Sequence, residues 1–167
     1  LAANMIARGD VGDVLQVRCV YLQDWLADPK AGWSWRNSKK LAGSGAHGDL
    51  NAHLIDLVRA MTGLEFDAVC GLAKTFYKQR PVGRGKTAKV DVDDAFCFLA
   101  KFKGGAIGTF EATRVAPGRK NFNCIEVSGT KGSIRWNLER MNELEVFSMK
   151  DARDAQGWRT VMCMDDV

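Results

Sequence analysis

DAFCFLAKFKGGAIGTFEAT, running from Asp94 to Thr113, contains two apolar runs on either side of Lys103-Gly104-Gly105. In the first run Phe96, Phe98, Ala100 and Phe102 fall on one side of an extended chain, and Ala95, Cys97, Leu99 and Lys101 on the other. That period of two predicts strands over 94–102 and 106–113, joined by a glycine hairpin. A connection this short makes the two strands antiparallel, because a parallel crossover needs a dozen residues or more. Both sides of the first strand are largely apolar, so both should be covered. The sequence offers too few helices to do this. A second subunit or a further part of a longer chain is the natural cover, and ordinary loops are the alternative.

Working outward, further strands are expected over 13–21, 66–76, 122–128, 133–138 and 144–148. Gly129-Thr130-Lys131-Gly132 is a second hairpin turn. In the strand over 13–21, Leu15, Val17, Cys19 and Tyr21 should face the core. The one strongly helical segment spans about 47–61 and stops near Gly63. Its Leu50, Leu54, Leu57, Val58 and Met61 cover one side, and Asp49, His53, Asp56 and Ala60 form a narrow stripe on the other. The fold class is therefore α+β, an open, mostly antiparallel β-sheet with helices on one face. The opening Leu1 to Gly9 reads as the last turn of a helix with its stop glycine, which suggests a piece of a longer protein.

The chain has 167 residues, 46% hydrophobic and 26% charged, as expected of one ordinary globular domain rather than a disordered segment. No apolar run approaches the roughly 20 residues of a membrane span, and no signal peptide is visible, so a cytoplasmic setting is expected. The net charge of +4 is mild. The densest basic stretch, Arg80 to Lys89, is broken by Pro and Gly and followed by Asp91, Asp93 and Asp94, which argues against nucleic acid. The five cysteines, at 19, 70, 97, 124 and 163, lack metal or redox spacing and are expected to be reduced core residues. With only two histidines and no third ligand at suitable spacing, no metal site is expected. No G-x-S-x-G elbow for a serine hydrolase is present.

Gly43-Ser44-Gly45-Ala46-His47-Gly48 satisfies G-x-G-x-x-G, but no strand precedes it and Asp49 would place a carboxylate where a pyrophosphate should sit. Gly85-Lys86-Thr87 mimics the end of a P-loop, yet Arg80 stands at the required first glycine. Asp49 and His53 lie one helical turn apart, a spacing that lets a carboxylate orient an imidazole for general acid–base work. The alternative is a helix-capping aspartate beside an ordinary surface histidine. Trp25, Trp33 and Trp35, with Asp24, Asp28, Arg36 and Lys39, make the preceding loop aromatic and charged. This mixture suits packing a ring face while bonding its hydroxyls, or simply pinning a long loop.

The segments Tyr21 to Trp25, Ser34-Trp35-Arg36, Gly43 to His53, Thr75-Phe76, Arg80-Pro81, Val92-Asp93-Asp94, Phe110 to Arg114 and Gly129 to Ser133 together resemble the C-terminal domain of the Gfo/Idh/MocA oxidoreductases, glucose–fructose oxidoreductase and inositol dehydrogenase among them. The resemblance covers nearly the whole chain. It implies that residues 1–167 are a substrate-binding and oligomerisation domain, normally preceded by a Rossmann domain that binds NAD or NADP. It also implies oxidation or reduction of a sugar, polyol or related hydroxy compound, and assembly into a homo-oligomer through the open sheet face. Asp49 and His53 match the family's catalytic pair, with proton transfer assigned to His53 and orientation to Asp49. Trp35, Arg36, Lys39 and Arg114 are the expected substrate-binding residues. The chain departs from the family pattern at Asn51, where glycine is frequent, and at His47, where a small or apolar residue is usual. A non-catalytic sugar-sensing or assembly module on the same fold is the alternative function.

Overall fold

The computed structural model describes residues 1–163. Its frame is an eight-stranded sheet of order β10-β9-β8-β7-β1-β6-β5-β2. In chain order the strands are β1 (Val14–Leu22), β2 (Phe66–Lys74), β3 (Gln79–Gly83), β4 (Lys86–Lys89), β5 (Ala95–Phe102), β6 (Ile107–Thr113), β7 (Phe122–Gly129), β8 (Gly132–Asn137), β9 (Glu143–Ser148) and β10 (Arg159–Met162). Strands β3 and β4 form a separate two-stranded hairpin. Every neighbouring pair is antiparallel except β1 with β6, which run parallel. The expected hairpins join β5 to β6 and β7 to β8, and Gly104 and Gly105 take φ of 88° and 98°, open to glycine and costly for other residues.

Helix α1 (Ala2–Ala7) and helix α3 (Ala52–Thr62) lie on the same face of the sheet, while the short α2 (Lys39–Ala42) sits in the loop after β1. Leu54 and Val58 of α3 are fully buried against Val17, Cys19, Phe98, Phe102, Phe110, Ile125 and Val127, the faces the two periodicities assign to the core. Met5 and Ile6 of α1 complete a second cluster with Val11, Ile134, Leu144 and Val146. No helix among the described residues is long and apolar enough to cross a membrane.

The other face is bare. Leu72, Leu99 and Ile107 are 75%, 62% and 53% exposed, so among the described residues the second apolar side of β5 has no cover. Leu15 is turned outward too, because the register of β1 against β7 shifts between Val14 and Gln16. Only Cys19 of the five cysteines is buried; Cys70 and Cys97 are exposed on the bare face, and Cys124 and Cys163 are half-buried. The expectation of a uniform set of core thiols is corrected accordingly: Cys70 and Cys97 alternate to the side of the sheet that no helix covers, and Cys163 follows β10 at the margin of the second cluster. Three strands went unread. The basic stretch lies in the β3–β4 hairpin, and β10 adds an edge. Strand β2 ends at Lys74, two residues before the expected limit.

Candidate active site

Strands β1 and β6 run parallel, so both deliver their C-terminal ends to the same edge of the sheet. The pairing continues past them, with Gln23 N–H on the Thr113 carbonyl at 2.9 Å and Leu26 N–H on the Arg114 carbonyl at 3.0 Å. At this edge α3 begins with an irregular turn. Residues His47–Asn51 are wound as a single π turn before the α-helix proper. Such bulges often mark functional positions. The turn is anchored by Asp93, whose carboxylate accepts from Gly45 N–H at 2.9 Å and His47 N–H at 2.7 Å. Gly45 is obligatory here, since a Cβ would lie 1.9 Å from the Asp93 carbonyl oxygen. The N–H groups that would cradle a phosphate in a G-x-G-x-x-G loop are thus already bonded within the chain.

A cleft of about 320 Å³ opens over this turn, lined by Tyr21, Gln23, Trp25, Arg36, Asp49, Leu50 and His53. His53 is exposed on the first turn of α3, its ring 6.1 Å from that of Tyr21. Asp49 is half-exposed, and its Oδ2 accepts from Arg114 Nη2 at 2.7 Å. Among the described residues no hydrogen bond joins Asp49 to His53; the carboxylate's partner is the arginine. Arg114 is almost wholly buried beneath the cleft, and its guanidinium also donates to Gly45 O at 3.1 Å and Arg36 O at 3.5 Å. The Trp25 ring lies 5.5 Å from that guanidinium, and the Trp25 indole N–H donates to Gln23 Oε1 at 2.9 Å.

Of the six expected site residues, Arg36, Asp49 and His53 line the cleft. Arg114 lies under its floor, and Trp35 stands beside it with the Arg36 guanidinium 4.4 Å from its ring. Lys39 does not line the cleft; it is exposed, and its backbone N–H is bonded to Asp91 Oδ1. His47 points away, stacked on Phe96 at 4.0 Å. Tyr21, Gln23 and Trp25 are additions to the expected set. Their period of two, continuing past the end of β1, was the signal available in the sequence. The Arg80 and Asp94 of the matching motifs are structural. Arg80 is buried and bonded to the carbonyls of Leu26 and Asp28, and Asp94 accepts from Phe76 and Tyr77 N–H.

Residues 1–135 match the GFO/IDH/MocA C-terminal domain. The chain belongs to this family. The levoglucosan dehydrogenase of Pseudarthrobacter phenanthrenivorans is 43% identical to it over 96% of the chain and 44% of the relative. A crystal structure of an oxidoreductase domain protein from Kribbella flavida superposes with a TM-score of 0.94 at 44% identity, over 98% of this chain and 45% of that one. The structure of a levoglucosan dehydrogenase in complex with NADH and levoglucosan superposes with a TM-score of 0.92 at 45% identity, over 97% of this chain and 43% of that one. The chain therefore spans less than half the length of these GFO/IDH/MocA relatives.

Proposed function

We propose that this chain is the substrate-binding and oligomerisation domain of a longer NAD(P)-dependent dehydrogenase acting on a sugar, with a levoglucosan-like anhydro sugar as the first candidate. The observation that carries the reading is one cleft lined by Asp49 and His53 together with Tyr21, Gln23 and Trp25. Aromatic rings suit the C–H faces of a sugar, and the carboxylate, imidazole and Gln23 amide suit its hydroxyls. Similarity to a levoglucosan dehydrogenase over nearly the whole chain supports the same substrate class.

This domain does not hold the dinucleotide's phosphates through its glycine turn, because Asp93 fills that turn. A nicotinamide held by the remainder of the longer enzyme would supply the hydride acceptor. His53 takes the proton of the reacting hydroxyl as its carbon becomes a carbonyl, and Asp49 accepts a hydrogen bond from the same sugar and fixes its position. The bare sheet face is where a second copy of the chain would pack in a homo-oligomer; its apolar half lies on β2, β5 and β6. The test is to incubate the intact protein with NAD or NADP and a panel of levoglucosan, aldohexoses and cyclic polyols. Reduced nicotinamide should accumulate with at least one of them. Bound cofactor with no turnover on any would overturn the reading in favour of a sensing module.

A further inference from the structure

We infer that Arg114 is a positioning residue of the site, acting through Asp49 and not on the sugar itself; the inference rests on the reading above. Arg114 was expected to touch substrate, but its side chain is 2% exposed and lies beneath the cleft floor. Its planar fork is divided among three acceptors in the stretch 36–49, which lies 65 to 78 residues away in sequence. One Nη2 contact reaches Asp49 Oδ2 at 2.7 Å, within the π turn, and another the Gly45 carbonyl at 3.1 Å, just before it. Nη1 reaches the Arg36 carbonyl, on the loop that forms the opposite wall. Arg114 itself follows β6 directly, with its backbone N–H on the Asp94 carbonyl at 3.0 Å. One buried cation thus fixes the distance between the two walls of the cleft.

It also selects the orientation of the carboxylate. With Oδ2 held from below, Oδ1 has no hydrogen-bond partner among the described residues, while Asp49 remains 40% exposed. The free oxygen is left to accept from a hydroxyl donor in the cleft. A lysine cannot reproduce this, because a single ammonium cannot span a carboxylate and two carbonyls in one plane. The buried charge is balanced by Asp49, so the two residues should behave as one unit.

The experiment is a double-mutant cycle in the intact enzyme with Arg114→Met, Asp49→Asn and the pair, reading kcat/KM per folded active site. Asp49→Asn should lower kcat/KM about a hundredfold. Arg114→Met alone should lower it about tenfold or more, but by no more than about twofold once Asp49 is already Asn. Equal losses in the two backgrounds, or no loss in Arg114→Met, would overturn the inference. Should Arg114→Met fail to fold, Arg114→Lys is carried through the same cycle and judged by the same two criteria. A wild-type rate in Asp49→Asn would instead defeat the reading of the site, and this inference with it.

Discussion

Asp93 and Gly45 show how much of the site's geometry rests on single atoms. The Asp93 carboxylate satisfies two N–H groups at the head of α3, and both approach it closely only because residue 45 has no side chain. Gly45→Ala should force that turn away from Asp93, lowering the melting temperature and cutting sugar turnover together. A stable variant with normal turnover would contradict this. Asp93→Asn removes the charge at the helix N-terminus and leaves one acceptor oxygen for two N–H groups, and should cost about 2 kcal/mol in denaturant unfolding. At this scale the sequence was partly legible. Asp49 and His53 followed from helical spacing, and Arg36 from an aromatic, charged loop. The burial of Arg114, Arg80 and Asp94 was hidden, because each is held by carbonyls or amides from segments far away in the chain. Composition treats an arginine as a surface cation and gives no sign of such partners.

Among the elements, α3 and the β5–β6 hairpin were the most readable, since each has one strong period and clear stop residues. Leu54→Ala, in the middle of α3 and fully buried against the sheet, should destabilise the protein by about 3 kcal/mol in chemical denaturation. The β3–β4 hairpin escaped because its strands carry charge instead of alternating apolar residues. Its turn is nevertheless well specified, with Arg84 and Gly85 at φ of 50° and 70°, as a two-residue hairpin loop requires. The bulge in β1 was equally invisible, since an extra residue leaves composition unchanged while reversing which side Leu15 occupies. Strands β8 and β9 carry a pH-dependent pair. Arg135 bonds Glu145 at 2.6 and 2.8 Å and holds its carboxyl below the usual range. A lowered folded-state value stabilises above the unfolded carboxylate's pKa of about 4.5, and that contribution disappears as pH falls through the folded value. Glu145→Gln should therefore reduce stability at neutral pH slightly, as a half-exposed pair allows, and make little difference in strong acid.

The whole molecule is a sheet finished on one face only. Two-sided apolar character in β5 was legible from alternation, but what would cover its second side was not, because no described residue packs over Leu72, Leu99 and Ile107. The cysteines offer a reporter. Cys70 and Cys97 lie on the bare face, whereas Cys19 is buried and its thiol is pushed well above its ordinary range by desolvation. In the chain as given, a thiol reagent should label Cys70 and Cys97 readily and leave Cys19 untouched. In the intact assembly the first two should become protected, and equal labelling in both states would show that no partner covers this face. The cleft lies at the C-terminal ends of the parallel β1–β6 pair, where the head of α3 brings Asp49 and His53 beside Trp25. Its chemistry is tested most directly by comparing the intact protein with its His53→Ala variant for steady-state turnover of its sugar and for equilibrium binding of the nicotinamide cofactor. The account predicts a fall in kcat of about a hundredfold or more with cofactor affinity unchanged. A variant that turns over sugar at the wild-type rate would remove His53 from the reaction and contradict it.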